Sequence, residues 1–155
     1  MLSRAVGKWG GHMLKSIAGV ILGYLAMSVI VFVTLTISYF LLGADRVFQP
    51  GTYDVTMFWI ALMVLFSVVS AIVGGLVCLK IARKKGAVIV LAVLTLLLGV
   101  ISAVTTPARA STDVRTGDVS NFQAMMKGKE PVWFVWLLPV IGCAGVLVGG
   151  RSTRG

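Results

Sequence analysis

Four stretches of this chain carry no charged residue: 29 residues from Ser16 to Ala44, 25 from Val55 to Leu79, 23 from Gly86 to Ala108 and 20 from Pro131 to Gly150. About 20 apolar residues are enough to cross a bilayer as a helix. Within lipid a single segment can satisfy its own backbone N–H and C=O groups only by being helical. The runs therefore predict an all-α protein, an integral membrane four-helix bundle with short loops and spans at about 16–42, 55–79, 86–106 and 131–150. These form one domain over residues 16–150, between a basic leader (1–15) and a basic tail (151–155). Composition agrees, since only 12% of the 155 residues are charged where soluble domains hold roughly 25%.

The first run could belong to a secretory signal, but it far exceeds an apolar signal core of about 7–15 residues and no small-residue cleavage site follows it. A retained first helix is expected. The leader before it, with Arg4, Lys8, His12, Lys15 and three glycines, reads as flexible.

Orientation follows from cations, because Lys and Arg near span ends stay on the cytoplasmic side. The topology-determining cluster is Lys80, Arg83, Lys84 and Lys85, in a tight turn between the second and third runs. Placing that turn inside puts nine cations inside (Arg4, Lys8, Lys15, Lys80, Arg83, Lys84, Lys85, Arg151, Arg154) and five outside. All five acids then fall outside, and both termini are cytoplasmic. The expected location is a bacterial cytoplasmic (inner) membrane. The net charge of +9 sits in these juxtamembrane clusters, so the expected partner is anionic lipid head groups at the cytoplasmic face and not nucleic acid.

Small residues mark the faces where helices approach closely. Gly19 and Gly23 form a G-x-x-x-G step near the inner end of the first span. Ser67, Ser70, Ala71, Gly74 and Cys78 recur at helical spacing on the second, and Gly142, Gly145 and Gly149 share a face of the fourth, beyond Pro139. The third span carries Ala92, Thr95, Gly99 and Ser102 in the same way, and the short turn before it makes the second and third spans antiparallel neighbours. Trp59, Trp133 and Trp136 read as interfacial anchors. Between the third and fourth runs, Ser120-Asn121-Phe122-Gln123 matches a capping box, and Phe122, Met125 and Met126 give an apolar face, which predicts a short interfacial helix in the second outer loop.

The chemistry is sparse. No ionisable side chain falls within the runs, where enzymes and ion-coupled carriers keep such groups for function. His12 is the only histidine and lies in the leader, so no His-based catalytic pair or metal site can be assembled. Cys78 and Cys143 are not in a C-x-x-C arrangement and read as reduced packing residues. Asp45, Asp54, Asp113, Asp118 and Glu130 are interspersed with Lys and Arg, the pattern of a solvated surface. No catalytic, cofactor-binding or metal-ligating residue is therefore assigned.

The order Lys15-Ser16-Ile17-Ala18 with Gly23-Tyr24, the turn Phe48-Gln49-Pro50-Gly51, Gly74-Gly75 and the entry from Trp133 to Gly142 resembles small four-span bacterial membrane proteins of uncharacterised function. That resemblance implies a membrane bundle and no activity. The expected role is a non-enzymatic bundle acting by association, with itself as a homo-oligomer or with a membrane-protein complex, through the small faces of the second and fourth spans. An alternative is a facilitative path for a small neutral solute, lined by Ser67, Ser70, Thr95 and Ser102. A weaker one is a phage-type lysis protein.

Overall fold

The computed structural model describes residues 2–105 and 127–151, with side chains from Met13 onward. Among the described residues there are five helices: α1 (Leu2–Leu42), α2 (Ala44–Val47), α3 (Met57–Ala82), α4 (Lys85–Thr105) and α5 (Val132–Gly149). All but α2 are long and apolar enough to span a membrane. Among the described residues there is no strand, only two isolated bridges, so the chain is an all-α four-helix bundle. Large apolar side chains such as Ile21, Leu25, Leu97 and Val140 stand exposed around it, the surface that hydrocarbon covers in a membrane protein.

The helix limits differ from the uncharged runs at their ends, each for a local reason. The leader, expected to be flexible, instead continues α1 back to Leu2. α3 starts two residues later than its run because Thr56 caps it, accepting from the Trp59 N–H at 3.3 Å. It then runs past Lys80 to Ala82, where the long aliphatic stem of a lysine lets its charge reach the interface. Arg83 ends the helix in the left-handed conformation (φ 53°), its N–H bonded to the Leu79 carbonyl at 2.8 Å, and α4 opens at Lys85. α5 begins at Val132 with Pro131 as its N-cap, one residue later than its run. The interfacial helix expected around 120–126 lies outside the described residues.

The second and third spans are in contact, but they are not each other's main partners. α3 packs chiefly on α1 and α5, and α4 packs chiefly on α5. Two cores result. At the end carrying the basic turn, Ala71, Cys78, Ala82, Ala87, Val88, Leu91 and Val146 close around Met27. At the opposite end, the connection between α1 and α3 folds back as a lid on the bundle. There Gly51 (φ 73°) follows Pro50 in a turn closed by the Thr52 N–H on the Gln49 carbonyl (3.2 Å), a positive-φ position suited to glycine. Phe48 then pairs with Val55, and Asp54 with Lys129. Phe48, Val47, Tyr53 and Val55 pack over Tyr39, Trp59, Ile60 and Phe134. Trp59 is consequently not an interfacial anchor. It is 7% exposed and stacks edge-on against Tyr39 at 6.4 Å, whereas Trp133 and Trp136 are exposed as expected of a belt.

Candidate binding cleft

The small residues are all seated between helices of this one chain. A methyl on Gly19 would meet Ala82 and the Cys78 carbonyl of α3, and one on Gly23 would meet Cys78, the Gly74 carbonyl and Leu91, each at 2.8–3.0 Å. Gly74 faces Met27 and the Gly23 carbonyl. On the other side of α3, Ala71 lies 2.6 Å from the position of a Gly145 Cβ, Gly75 abuts the Val146 carbonyl and Gly149 abuts the Ile72 carbonyl. Gly142 faces Thr95, and Gly99 faces Pro139. The small faces of α3 and α5 are thus occupied inside the monomer, which removes them as the surfaces of association expected from the sequence. Gly75, the closest approach of α3 to α5 alongside Gly149, stands in the sequence only as the second half of a Gly-Gly pair.

These close approaches shape what lies beyond them. Gly19 and Gly23 draw α1 against α3, and Leu91, fully buried, fills the space between α1 and α4 at the basic end. Past Gly23 a cleft of about 690 Å³ lies between α1 and α4, within the roughly 300–1,000 Å³ usual for ligand sites. The α1 wall is Tyr24, Met27, Ser28, Val31, Phe32, Leu35, Thr36 and Tyr39, a stripe repeating every three to four residues along one face. Thr95, Leu98, Gly99 and Ser102 form the α4 wall at the same spacing. Trp59 and Met63 of α3 and Val135, Leu138 and Pro139 of α5 make the back, while Val47, Phe48, Val55, Gly128 and Glu130 border the mouth. Phe32 at the rim is 57% exposed and Leu98 and Ser102 are exposed, so the cleft opens sideways between α1 and α4.

Its walls behave as apolar despite their hydroxyls. Ser28 donates to the Tyr24 carbonyl at 3.0 Å and Thr95 to the Leu91 carbonyl at 2.8 Å, so both protons are used within their own helices. Ser70, 1% exposed, donates to Ser67, and neither lines the cleft. The four hydroxyls read from the sequence as one solute path are therefore divided, with Thr95 and Ser102 in the cleft and Ser67 and Ser70 in the packed wall behind. Toward the basic end the cleft stops at Tyr24, Met27 and Thr95, beyond which the core around Leu91 is filled.

Charge enters only at the mouth. Glu130 is exposed by area, yet the atoms crowded around its carboxyl strip hydration from it and push its pKa above the ordinary carboxylate value. Lys127 stands over the Tyr53 ring at 5.3 Å, and Lys129 is held by backbone bonds to Tyr53 and Val55. Cys78 and Cys143 are free thiols. Among the described residues no three His, Cys, Asp or Glu side chains gather as a metal site. The topology cluster Lys80, Arg83, Lys84 and Lys85 lies at the opposite end of the bundle, with Arg151 just past α5.

The class defined by this architecture is an integral membrane four-helix bundle with a lateral cleft between α1 and α4. No protein-family model, curated protein or solved structure matches the chain.

Proposed function

We propose that this protein is a non-enzymatic membrane bundle that acts by association inside the bilayer, receiving its partner laterally into the cleft between α1 and α4. The observation that carries this reading is the recess of about 690 Å³ between α1 and α4 beyond Gly23, with exposed side chains at its side and a filled core around Leu91 closing it toward the basic end. Recognition through the cleft takes the place of recognition through the small faces, which are already filled. The bundle sits in a bacterial cytoplasmic membrane with its basic end and both termini inside, in keeping with the nine-to-five division of cations and with anionic lipid head groups as the cytoplasmic contact. The cleft then faces the outer leaflet.

A photoreactive benzoylphenylalanine at Phe32, on the rim, is expected to give a discrete adduct in native membranes. The same group at Val90, exposed on the basic-end half of α4, should give only the diffuse background of bulk contacts. Indistinguishable labelling at the two positions would rule this reading out.

A further inference from the structure

We propose that the occupant of the cleft is a bilayer phospholipid bearing a primary amine, one acyl chain lying along the α1 stripe and the ammonium on the Glu130 carboxylate. This deepens the association reading and rests on it. The first argument is length. From Tyr24 to Tyr39 the stripe covers 15 residues, which at 1.5 Å each is about 22 Å along the helix. One leaflet offers about 15 Å of hydrocarbon plus several ångströms of head-group layer, so a cleft of this length accepts one leaflet-bound molecule from chain end to head. It ends at Tyr24, Met27 and Thr95, near the middle of the spans Met13–Leu42 and Lys85–Thr105.

The second argument is chemistry along that length. The deep walls offer mostly hydrocarbon, with the Ser28 and Thr95 hydroxyls bonded to their own helices, which suits an acyl chain. Polarity begins only at the mouth. There Glu130 lines the cleft and makes no hydrogen bond or ion pair among the described residues, while Lys127 and Lys129, just before it in the chain, lie outside the lining. Charges of both signs near one rim match a zwitterionic head group. A primary ammonium donates charge-assisted hydrogen bonds to a carboxylate, whereas a quaternary one offers only its charge, so Glu130 favours the amine.

The test uses the full chain purified in mild detergent, exposed to equal amounts of phosphatidylethanolamine, phosphatidylcholine and phosphatidylglycerol, with bound lipid read by native mass spectrometry. The wild type should retain phosphatidylethanolamine in several-fold excess over each of the others. Glu130→Gln should bring the ethanolamine-to-choline ratio close to one while total bound lipid persists. Ser28→Trp, which fills the cleft from an exposed position, should lose the bound lipid without loss of helicity. No retained lipid, preference for phosphatidylglycerol, or an ethanolamine-to-choline ratio unmoved by Glu130→Gln overturns the proposal. If lipid fails in this way while the Phe32 photoadduct proves to be a protein, the lipid assignment falls and association through the cleft stands. If both fail, both fall.

Discussion

Gly149→Leu is expected to abolish the folded bundle, and Gly86→Leu to leave it intact. A Cβ on Gly149 collides with the Ile72 carbonyl oxygen and comes within 2.9–3.0 Å of the Ile72 carbonyl carbon and Cα, all of it backbone that no rotamer change can move. Relief requires separating α5 from α3. That separation also opens the neighbouring contacts of Gly75 with Val146 and of Gly145 with Ala71. Overpacking usually costs about 1–3 kcal/mol even where flexible side chains absorb it, and an immovable backbone puts leucine here beyond that range. Against a total stability of about 5–15 kcal/mol, that is a large fraction. Gly149→Ala should lower the melting temperature in detergent by several degrees, and Gly149→Leu should leave no cooperative transition. A Cβ on Gly86 meets nothing within 4 Å, and replacing glycine in a helix relieves up to about 1 kcal/mol of propensity, so that variant should melt at or slightly above the wild type.

The second large effect is all-or-none. With the basic end in the cytoplasm, a cysteine replacing Thr52, in the turn that covers the far end of the bundle, should react with an impermeant thiol reagent in intact cells. One replacing Gly86 should react only after the membrane is opened. Thr52 sits two residues beyond Pro50 and Gly86 opens α4 beside Lys84 and Lys85, so the two report opposite ends of the bundle. Inverting the protein would export Lys80, Arg83, Lys84 and Lys85 together with Arg151, against the preference of such cations for the cytoplasmic side. Labelling at Gly86 in intact cells with silence at Thr52 would reverse the orientation and move the cleft to the inner leaflet.

The spans were legible because an uncharged run longer than the hydrocarbon thickness admits one fold, and the glycine positions were legible as sites of close approach. Which helix each glycine approaches was not, because spacing along one helix does not say what lies opposite. The short turn at Arg83 made α3 and α4 neighbours, as they are, but did not show that α4 packs chiefly on α5, where Gly99 meets Pro139 and Gly142 meets Thr95. Trp59 showed an aromatic near a span end, and an aromatic there serves equally as an interfacial anchor or as the floor beneath a folded loop. The loop decided it, since the turn at Pro50-Gly51 brings Phe48 and Val55 over that ring.

The cleft was the least visible feature. Its α1 wall from Tyr24 to Tyr39 does repeat at helical spacing, but in a membrane protein an apolar stripe has no contrasting polar face to set it off. The usable signal was a change of residue size along one helix: Gly19 and Gly23 near the basic end, then Met27, Phe32, Leu35 and Tyr39 beyond. Glu130 was read as part of a solvated surface, and its place at the mouth depends on Lys129 pairing with the α1–α3 loop, a long-range contact that no local pattern encodes.

The cleft between α1 and α4 is expected to admit lipid and not water. Nitroxide spin labels at Ser28 and Ser102, in protein reconstituted into bilayers, measure this through collisions with oxygen, which concentrates in hydrocarbon, and with a water-soluble nickel chelate. High oxygen and low nickel accessibility at Ser28 is predicted, with nickel contact rising only toward Ser102 near the mouth. Strong nickel contact at Ser28 would reveal an aqueous path, weak contact with both would reveal a closed bundle, and either result would contradict the account.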